Sequence, residues 1–216
     1  MSLITIERKI LEKNDAIAAK IRKELKDKNI FSFNMLSSPG SGKTSIVEKT
    51  IEHLKERIRI AVITGDVQTD LDAQRINMLD VLVAQIVTNG GCHLEAGLVR
   101  DALNSLNLNG IQLLIIENVG NLVCPAGYDL GEDTKVVVLS TTEGDDKPLK
   151  YPAMFRNASI LIINKIDLLP YIKCSVEKIR NNALSINPHL KIFETSCTTG
   201  AGIGDWCEWI ESNIYL

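Results

Sequence analysis

The sequence has few aromatic side chains, little net charge and no long apolar run. Phe, Trp and Tyr make up 5% of the 216 residues, and the formal net charge is −3. Without an excess of Lys and Arg, an extended contact with nucleic acid is not expected. No stretch reaches the roughly 18–20 apolar residues that a membrane-spanning helix needs, and the N-terminus lacks the apolar core of a signal peptide. These absences predict a cytoplasmic protein that contacts neither nucleic acid nor membrane.

Pairs of cysteines suited to a disulfide framework are also missing. The five cysteines are an odd number, and in the reducing cytosol they indicate core, catalytic or metal-binding thiols. No internal repeat or Pro/Gly-rich linker divides the chain. With 45% hydrophobic residues, a chain of this length predicts one domain over residues 1–216.

Short apolar runs alternate with helical patterns along the chain. An amphipathic helix is predicted over residues 5–27 from apolar residues at helical spacing, which are Ile6, Ile10, Ile17, Ile21 and Leu25. Buried strands are predicted at 31–36, 58–64, 81–87, 112–118, 135–141, 159–164 and 191–195. Further helices are predicted near 43–57, 70–78, 92–106, 149–157, 175–186 and 203–213. Strands buried on both faces with helical crossovers indicate a doubly wound, mainly parallel α/β sheet flanked by helices.

The stretch "SSPGSGKT" (37–44) matches the phosphate-binding loop G-x-x-x-x-G-K-[ST] except for Ser37, which replaces the first glycine. It follows a predicted strand and opens a predicted helix, as a P-loop does. Lys43 can reach the β- and γ-phosphates, and Thr44 can ligate Mg²⁺. The alternative is a Gly/Ser turn with a chance lysine. The predicted phosphate-binding residues are Pro39, Gly40, Ser41, Gly42, Lys43, Thr44 and Ser45.

The stretch "NKID" (164–167) predicts which base is bound. Asp167 can accept two hydrogen bonds from guanine, whereas adenine would leave the carboxylate unpaired. Asn164 and Lys165 are expected to tie the base loop to the phosphate loop. "ETSCTTG" (194–200) is similar to the S-A-K segment of guanine sites and places Ser196 and Cys197 near the base. The alternative is a strand end capped by a helix start.

Acidic residues after two strands predict the magnesium and catalytic groups. "IIENVG" (115–120) has the form D-x-x-G with Glu117 in place of the aspartate, and Gly120 is positioned to sense the γ-phosphate. Asp66 follows another strand and is either a second Mg²⁺ contact or the residue that positions water. The predicted catalytic residues are therefore Lys43, Asp66 and Glu117, and the predicted magnesium ligands are Thr44, Asp66 and Glu117. Two other acidic residues are interpreted as helix caps or first-turn acids, namely Asp70 and Asp72.

A second cluster suits a softer metal. Cys92 and His93, in "GGCHLEAG" (90–97), are predicted at a helix N-terminus, where a thiol pKa falls. Adjacent residues of a regular helix point apart, so one ion would need a non-helical turn to reach both. Cys124 follows the predicted switch. The alternative is buried cysteines with a capping histidine. Cys174 and Cys207 are expected to be core or incidental residues.

Six motifs together resemble the HypB family over residues 1–214: "SSPGSGKT", "GDVQTDLDAQRI", "GGCHLEAG", "IIENVGNLVCPA", "EGDDKPLKYP" and "NKIDLLPY". The resemblance implies a GTPase that assists nickel insertion during maturation of nickel–iron hydrogenases. It implies a homodimer that closes on GTP, with Cys92, His93 and Cys124 forming a zinc or nickel site at the dimer interface. It also implies that the nickel chaperone HypA and the hydrogenase large-subunit precursor are partners.

Other functions are considered beside this one. The related urease-maturation GTPase UreG has a Cys-Pro-His motif, whereas here Cys92 runs directly into His93 and no histidine follows Pro125. The iron–sulfur and cell-division ATPases carry an early lysine in their phosphate loop, where this chain has Ser38. A non-hydrolysing GTP sensor is a third alternative. "MSLITIERK" lacks the cysteine cluster or histidine-rich tract of some family members, so N-terminal nickel storage is not implied.

Overall fold

The computed structural model describes residues 2–68 and 71–214, without the side chains of residues 2–8 and 10. The strands are β1 (Phe31–Ser37), β2 (Ile60–Asp66), β3 (Leu82–Val87), β4 (Leu113–Glu117), β5 (Thr134–Ser140), β6 (Ile160–Asn164) and β7 (Lys191–Thr195). The helices are α1 (Ser2–Asp27), α2 (Lys43–Leu54), α3 (Leu71–Asn77), α4 (Ala96–Ser105), α5 (Lys147–Lys150), α6 (Pro152–Asn157), α7 (Val176–Ile186) and α8 (Ile203–Asn213). No helix in the described ranges combines the length and apolar character needed to span a membrane.

All seven strands form one parallel sheet in the order β3-β2-β4-β1-β5-β6-β7. Parallel neighbours need crossover connections, and the helices between the strands provide them. The predicted doubly wound α/β fold is confirmed. β1 is the central strand, and its register pairs Met35 with Glu117. The carboxyl ends of β1, β2, β4 and β6 therefore meet at one edge of the sheet, where ligands bind in open α/β folds.

Burial differs between the middle of the sheet and its two edges. Every residue of β1, β4 and β6 is buried, including the polar Ser32, Asn34 and Ser37 of β1, as expected for strands that are covered on both faces. β3 and β7 were also expected to be buried on both faces, and this expectation is wrong. Each is an edge strand with a single neighbour, and Leu82 and Val87 of β3 are each more than 40% exposed.

The predicted helices are present, although several boundaries differ. α1 spans the predicted segment and packs Ile21 and Leu25 into the core, while the side chains of Ile6 and Ile10 lie outside the described residues. α4 begins four residues later than expected, because Glu95 takes an extended N-cap conformation (φ −114°, ψ 155°). The helix predicted over 149–157 is two short helices, with Pro152 beginning the second.

Three apolar clusters hold the helices against the sheet. α2 and α8 cover one face around Trp206, which is fully buried and donates its indole N–H to Thr50 Oγ1 at 2.9 Å. α1 and α4 cover the opposite face. This packing fixes the strand ends, and hence the loops that follow them.

Candidate functional site

A cavity of about 520 Å³ opens at the carboxyl edge of the sheet, between the loops after β1, β2 and β4. This volume lies within the range of about 300–1,000 Å³ that is usual for small-molecule sites. It is lined by Ser38, Pro39, Gly40, Ser41, Gly42, Lys43, Thr44, Ser45, Gly65, Asp66, Val67, Asp72, Arg75, Val119, Gly120 and Lys165. All seven predicted phosphate-loop residues are therefore at one cavity.

The loop between β1 and α2 has the backbone that phosphate binding requires. Gly40 and Gly42 have φ angles of +76° and +93°, which side-chain-bearing residues rarely adopt. A Cβ on Gly42 would also lie 2.5 Å from Asn164 Nδ2. Ser37 has no left-handed backbone and simply ends β1, with its hydroxyl donating to the Ser38 carbonyl at 2.8 Å. The missing first glycine therefore does not prevent the turn.

Glu117 lies beside the first two residues of α2. Its Oε1 accepts a hydrogen bond from Thr44 Oγ1 at 2.6 Å and is 3.5 Å from Lys43 Nζ. Burial raises the pKa of Glu117, while the Lys43 charge opposes that rise. Its Oε2 is buried and has no hydrogen-bond partner among the described residues. Carboxylate and hydroxyl oxygens suit Mg²⁺, so Thr44 and Glu117 fit the ion that a bound nucleotide requires.

The segment after β2 supplies a second acidic wall of the cavity. Asp66 ends β2 and accepts the Gln68 N–H at 2.9 Å. Asp72 lies in the first turn of α3, as expected, and it also lines the cavity. Asp70 lies outside the described residues. Arg75 was not singled out from the sequence, although it belongs to the motif that contains Asp66. Its guanidinium lines the cavity and donates to both oxygens of Glu48 at 2.9 and 2.6 Å.

The loop after β6 is joined to the phosphate loop by two side chains. Asn164 Nδ2 donates to the Ser41 carbonyl at 3.0 Å, and Lys165 Nζ donates to the Gly40 carbonyl at 2.6 Å. Both ties match the interpretation of "NKID". Thr195 was not predicted, and its hydroxyl donates to Asn164 Oδ1 at 3.1 Å, which fixes the amide orientation.

The residues predicted to face the base do not line the cavity itself. Asp167 is half-buried in the 3₁₀ turn Ile166–Tyr171. Ser196 is buried, and its hydroxyl accepts the Thr199 N–H at 3.1 Å. Cys197 Sγ lies 3.8 Å from Asn164 Oδ1, and burial raises the pKa of this thiol to about 11. They neighbour the Asn164 tie, and their contact with a base stays a prediction.

Cys92, His93 and Cys124 come together beside the cavity walls. Their donor atoms all lie within 4.8 Å of one another, and Cys92 Sγ is 3.5 Å from His93 Nδ1. The His93 ring rests on Tyr128, with centroids 4.0 Å apart. His93 Nε2 is buried without a hydrogen bond among the described residues and is 3.7 Å from Glu95 Oε1. Two thiols and an imidazole fit Zn²⁺ or Ni²⁺, and one ion can reach all three.

The expected helix N-terminus at this cluster is wrong. α4 begins only at Ala96, so Cys92 and His93 lie in the preceding loop, and Cys124 opens a 3₁₀ turn. The pKa of Cys92 is raised, chiefly by its hydrogen bond with the neighbouring Cys124 thiol, rather than lowered. Burial lowers the pKa of His93. The non-helical backbone is what allows adjacent residues to face one point.

The two remaining cysteines belong to the apolar clusters. Cys174 packs on the cluster that contains α6 and α7. Cys207 is buried in α8, and burial raises the pKa of its thiol to about 12. Cys207 is therefore a core residue, whereas Cys174 is only partly buried.

The parallel sheet, the phosphate loop at the start of α2 and the cavity between the strand ends define a P-loop nucleotide-binding domain. A family model described as "CobW/HypB/UreG, nucleotide-binding domain" matches residues 32–194, and the chain belongs to this family. Its relatives include the hydrogenase maturation factor HypB of Azotobacter vinelandii, which is 50% identical over 209 residues, covering 97% of this chain and 69% of that protein.

Two crystal structures of HypB are similar over almost the whole chain. HypB from Helicobacter pylori in complex with nickel has a TM-score of 0.88 and 37% identity, and the alignment covers 93% of this chain and 94% of that one. HypB from Archaeoglobus fulgidus has a TM-score of 0.89 and 36% identity, with 95% and 100% covered.

Proposed function

We propose that this chain is a GTPase that uses its nucleotide cycle to control a nickel- or zinc-binding site during maturation of nickel–iron hydrogenases. The observation that carries the proposal is a single segment, residues 117–124. It begins with the carboxylate beside Lys43 and Thr44 and ends with a thiol of the Cys92/His93/Cys124 cluster. The names of its relatives as hydrogenase maturation factors, and the nickel complex of one of them, support the same conclusion.

Hydrolysis would use the charged groups around the phosphate loop. Lys43 would exchange its contact with Glu117 for the β- and γ-phosphates, and Thr44 and Glu117 would hold Mg²⁺. Bound Mg²⁺ would neutralise charge that develops on the phosphate oxygens. Asp66 would hold this ion as well or orient the attacking water. The Gly120 backbone lies against the phosphate loop, because a Cβ there would be 3.1 Å from Pro39 Cα, so it is placed to respond to the γ-phosphate.

Base selection would depend on the loop after β6. Asp167 would pair with guanine, with Ser196 and Cys197 on the far side of the base. Because Asn164 and Lys165 already bond to the phosphate loop, base recognition and phosphate binding would act as one rigid unit. The pairing of Asp167 with guanine would favour GTP over ATP as the substrate.

The metal would be cargo shared between two copies of the chain. One protomer offers Cys92, His93 and Cys124, whereas a closed zinc site usually has four protein ligands. A two-fold dimer brings two such sets together, so metal binding and dimerisation would be coupled. GTP would favour the closed homodimer, from which nickel would pass between the chaperone HypA and the hydrogenase large-subunit precursor.

Sizing of the purified protein with a GTP analogue and with GDP, with metal measured in each peak, tests this proposal. We expect a metal-loaded dimer with the analogue and a larger monomer fraction with GDP. Release of phosphate from GTP distinguishes an enzyme from a non-hydrolysing sensor. Equal size and equal metal content in both nucleotide forms would overturn the coupling.

A further inference from the structure

Asn118 is a buried amide between the nucleotide cavity and the metal cluster, and its side chain is 1% exposed. Its Oδ1 accepts the backbone N–H of Leu94 at 3.1 Å and that of Val119 at 2.9 Å. Its Nδ2 donates to Asn34 Oδ1 at 3.2 Å. Its own backbone N–H donates to the Met35 carbonyl at 3.1 Å. One residue therefore joins the metal-cluster loop, the segment after β4 and the central strand.

The orientation of this amide is determined by its neighbours. Two N–H donors require the Asn118 oxygen on their side, which leaves the nitrogen facing Asn34. Asn34 Nδ2 in turn donates to Glu132 Oε1 at 3.3 Å. A flipped Asn118 amide would set donors against donors at a site without water access, which is costly. The network therefore has one polarity from Glu132 to Leu94.

Leu94 connects this network to the metal cluster and to the second wall of the cavity. It directly follows His93, and its side chain is fully buried. A Cβ on Gly65 would lie 2.8 Å from Leu94 Cδ2, so Leu94 packs directly on the residue before Asp66. A shift of the segment at Gly65 or of the segment at Asn118 would therefore reach His93 through Leu94.

The segment after β4 holds the Cys92–Glu95 loop at a second point. Asn121 Nδ2 donates to the Cys92 carbonyl at 3.2 Å, and the Asn121 oxygen accepts the Val123 N–H at 2.8 Å. The same segment touches Pro39 through Gly120. Contact with the phosphate loop and contact with both metal-ligating segments thus belong to one short piece of backbone.

We propose that Asn118 is a positioning residue that transmits the nucleotide state to the metal cluster through its hydrogen bond with Leu94. This inference rests on the proposed function, since it requires metal affinity to depend on the nucleotide. When the γ-phosphate draws Gly120 toward it, the Asn118 amide moves with the same segment and carries the Leu94 N–H, and hence His93, to a new position. Linkage makes the effect reciprocal, so bound metal changes nucleotide affinity by the same factor.

The decisive quantity is the ratio of Ni²⁺ dissociation constants in the GDP and GTP-analogue forms. For the parent chain we expect a ratio of at least about fivefold, the lower end of typical allosteric coupling. Asn118→Ala is expected to bring this ratio to within about twofold of one. Asn14→Ala is the matched control, because Asn14 is also buried and its Oδ1 accepts the N–H of Ala96, two residues after Leu94, at 2.8 Å. Asn14 belongs to α1 and not to the segment after β4. It should keep the parental ratio.

Amide hydrogen exchange on the unsubstituted protein tests the same inference without any mutation. The Leu94 N–H should differ severalfold in protection between the GTP-analogue and GDP forms. The Ala96 N–H, bonded to Asn14, should not differ. Equal protection of Leu94 in both forms would overturn the inference, even where Asn118→Ala fails to fold.

The two hypotheses fail in distinguishable ways. A parental ratio of one removes nucleotide-dependent metal binding and the role of Asn118 with it. A parental ratio above fivefold that survives in folded Asn118→Ala leaves the proposed function intact and overturns the positioning role alone.

Discussion

At the scale of single residues, Lys43 and Glu117 form an ion pair at the floor of the phosphate loop. Glu117 is 2% exposed, and Lys43 Nζ is the cation closest to its Oε1 among the described side chains, at 3.5 Å. Burial raises the pKa of Glu117, so the carboxylate depends on a nearby positive charge. A nucleotide with Mg²⁺ would supply that charge and release the lysine. Under the proposed function, the pair would therefore exchange partners when a nucleotide binds.

Lys43→Ala should abolish GTP hydrolysis, because the phosphates lose their fixed cation. We expect a loss of at least about 100-fold, comparable to removal of one transition-state donor. Phosphate release measures the rate, and circular dichroism measures retention of the fold. Lys49→Ala, in the same helix but paired with Glu52 at the surface, is the control. Hydrolysis by Lys43→Ala at the parental rate would show the phosphate-loop assignment to be wrong.

Asp167→Asn should relax the preference for guanine, because an amide cannot accept both purine N–H bonds. We expect the discrimination between GTP and xanthosine triphosphate to shift toward the xanthine base by roughly 1–3 kcal/mol, or about 5- to 150-fold. Competition binding with both nucleotides measures the shift. Asp205→Asn, at an exposed site in the first turn of α8, is the control. Unchanged discrimination would remove Asp167 from the base site.

At the scale of elements, α1 is fastened to the loop before β5 by polar contacts as well as apolar ones. Arg22 Nη2 donates to Asp129 Oδ1 at 2.6 Å, and Asn14 Nδ2 donates to the Asp129 carbonyl at 2.8 Å. Burial alone would raise the pKa of Asp129, but the hydrogen bonds from Arg22 and the Gly131 N–H outweigh it and lower this pKa from 3.8. The ionised carboxylate is thus favoured in the folded state.

Arg22→Met should lower the free energy of unfolding at neutral pH by about 0.5–1 kcal/mol, a value limited by the partial exposure of both side chains. Because the folded-state pKa of Asp129 is lowered, this contribution is present above pH 3.8 and is lost as the pH falls through the folded-state pKa. Urea unfolding at pH 7 and pH 3 measures the difference. Lys23→Met, exposed on the same helix, should have no comparable effect. A deficit that stays constant at low pH would contradict the assignment.

The elements that sequence reasoning predicted best are those with a local signal. β4 and β6 are nearly continuous apolar runs, and the phosphate loop is a contiguous motif. The start of α4 was missed because nothing in "GGCHLEAG" distinguishes an extended Glu95 from a first helical turn. The network of Asn34 and Asn118 was missed for another reason. Its partners are 84 residues apart in the chain, so no local pattern connects them.

At the scale of the whole molecule, Cys92, His93 and Cys124 come from two segments that are distant in the sequence, and a folded chain is needed to bring them together. Cys92→Ala and Cys124→Ala should each weaken Ni²⁺ or Zn²⁺ binding by more than about 100-fold, since loss of an outer-shell partner alone costs about 10–100-fold. Competition against a chelator measures the affinity. Cys174→Ala, in an apolar cluster, is the control. If only Cys92→Ala has an effect, Cys124 is a structural thiol and Asn118 becomes the main route between the two sites.

The strand order also governs when the cavity at the edge of the sheet forms during synthesis. β1 carries the phosphate loop and leaves the ribosome before every other strand, but its partners β4 and β5 begin only at Leu113 and Thr134. The Asn164 side chain that ties the loop is made later still. Parallel pairing over such sequence distances is slow and leaves apolar strand edges exposed in the meantime. A nascent chain that ends before β6 therefore holds the complete phosphate-loop sequence before the Asn164 tie that fixes this loop can form.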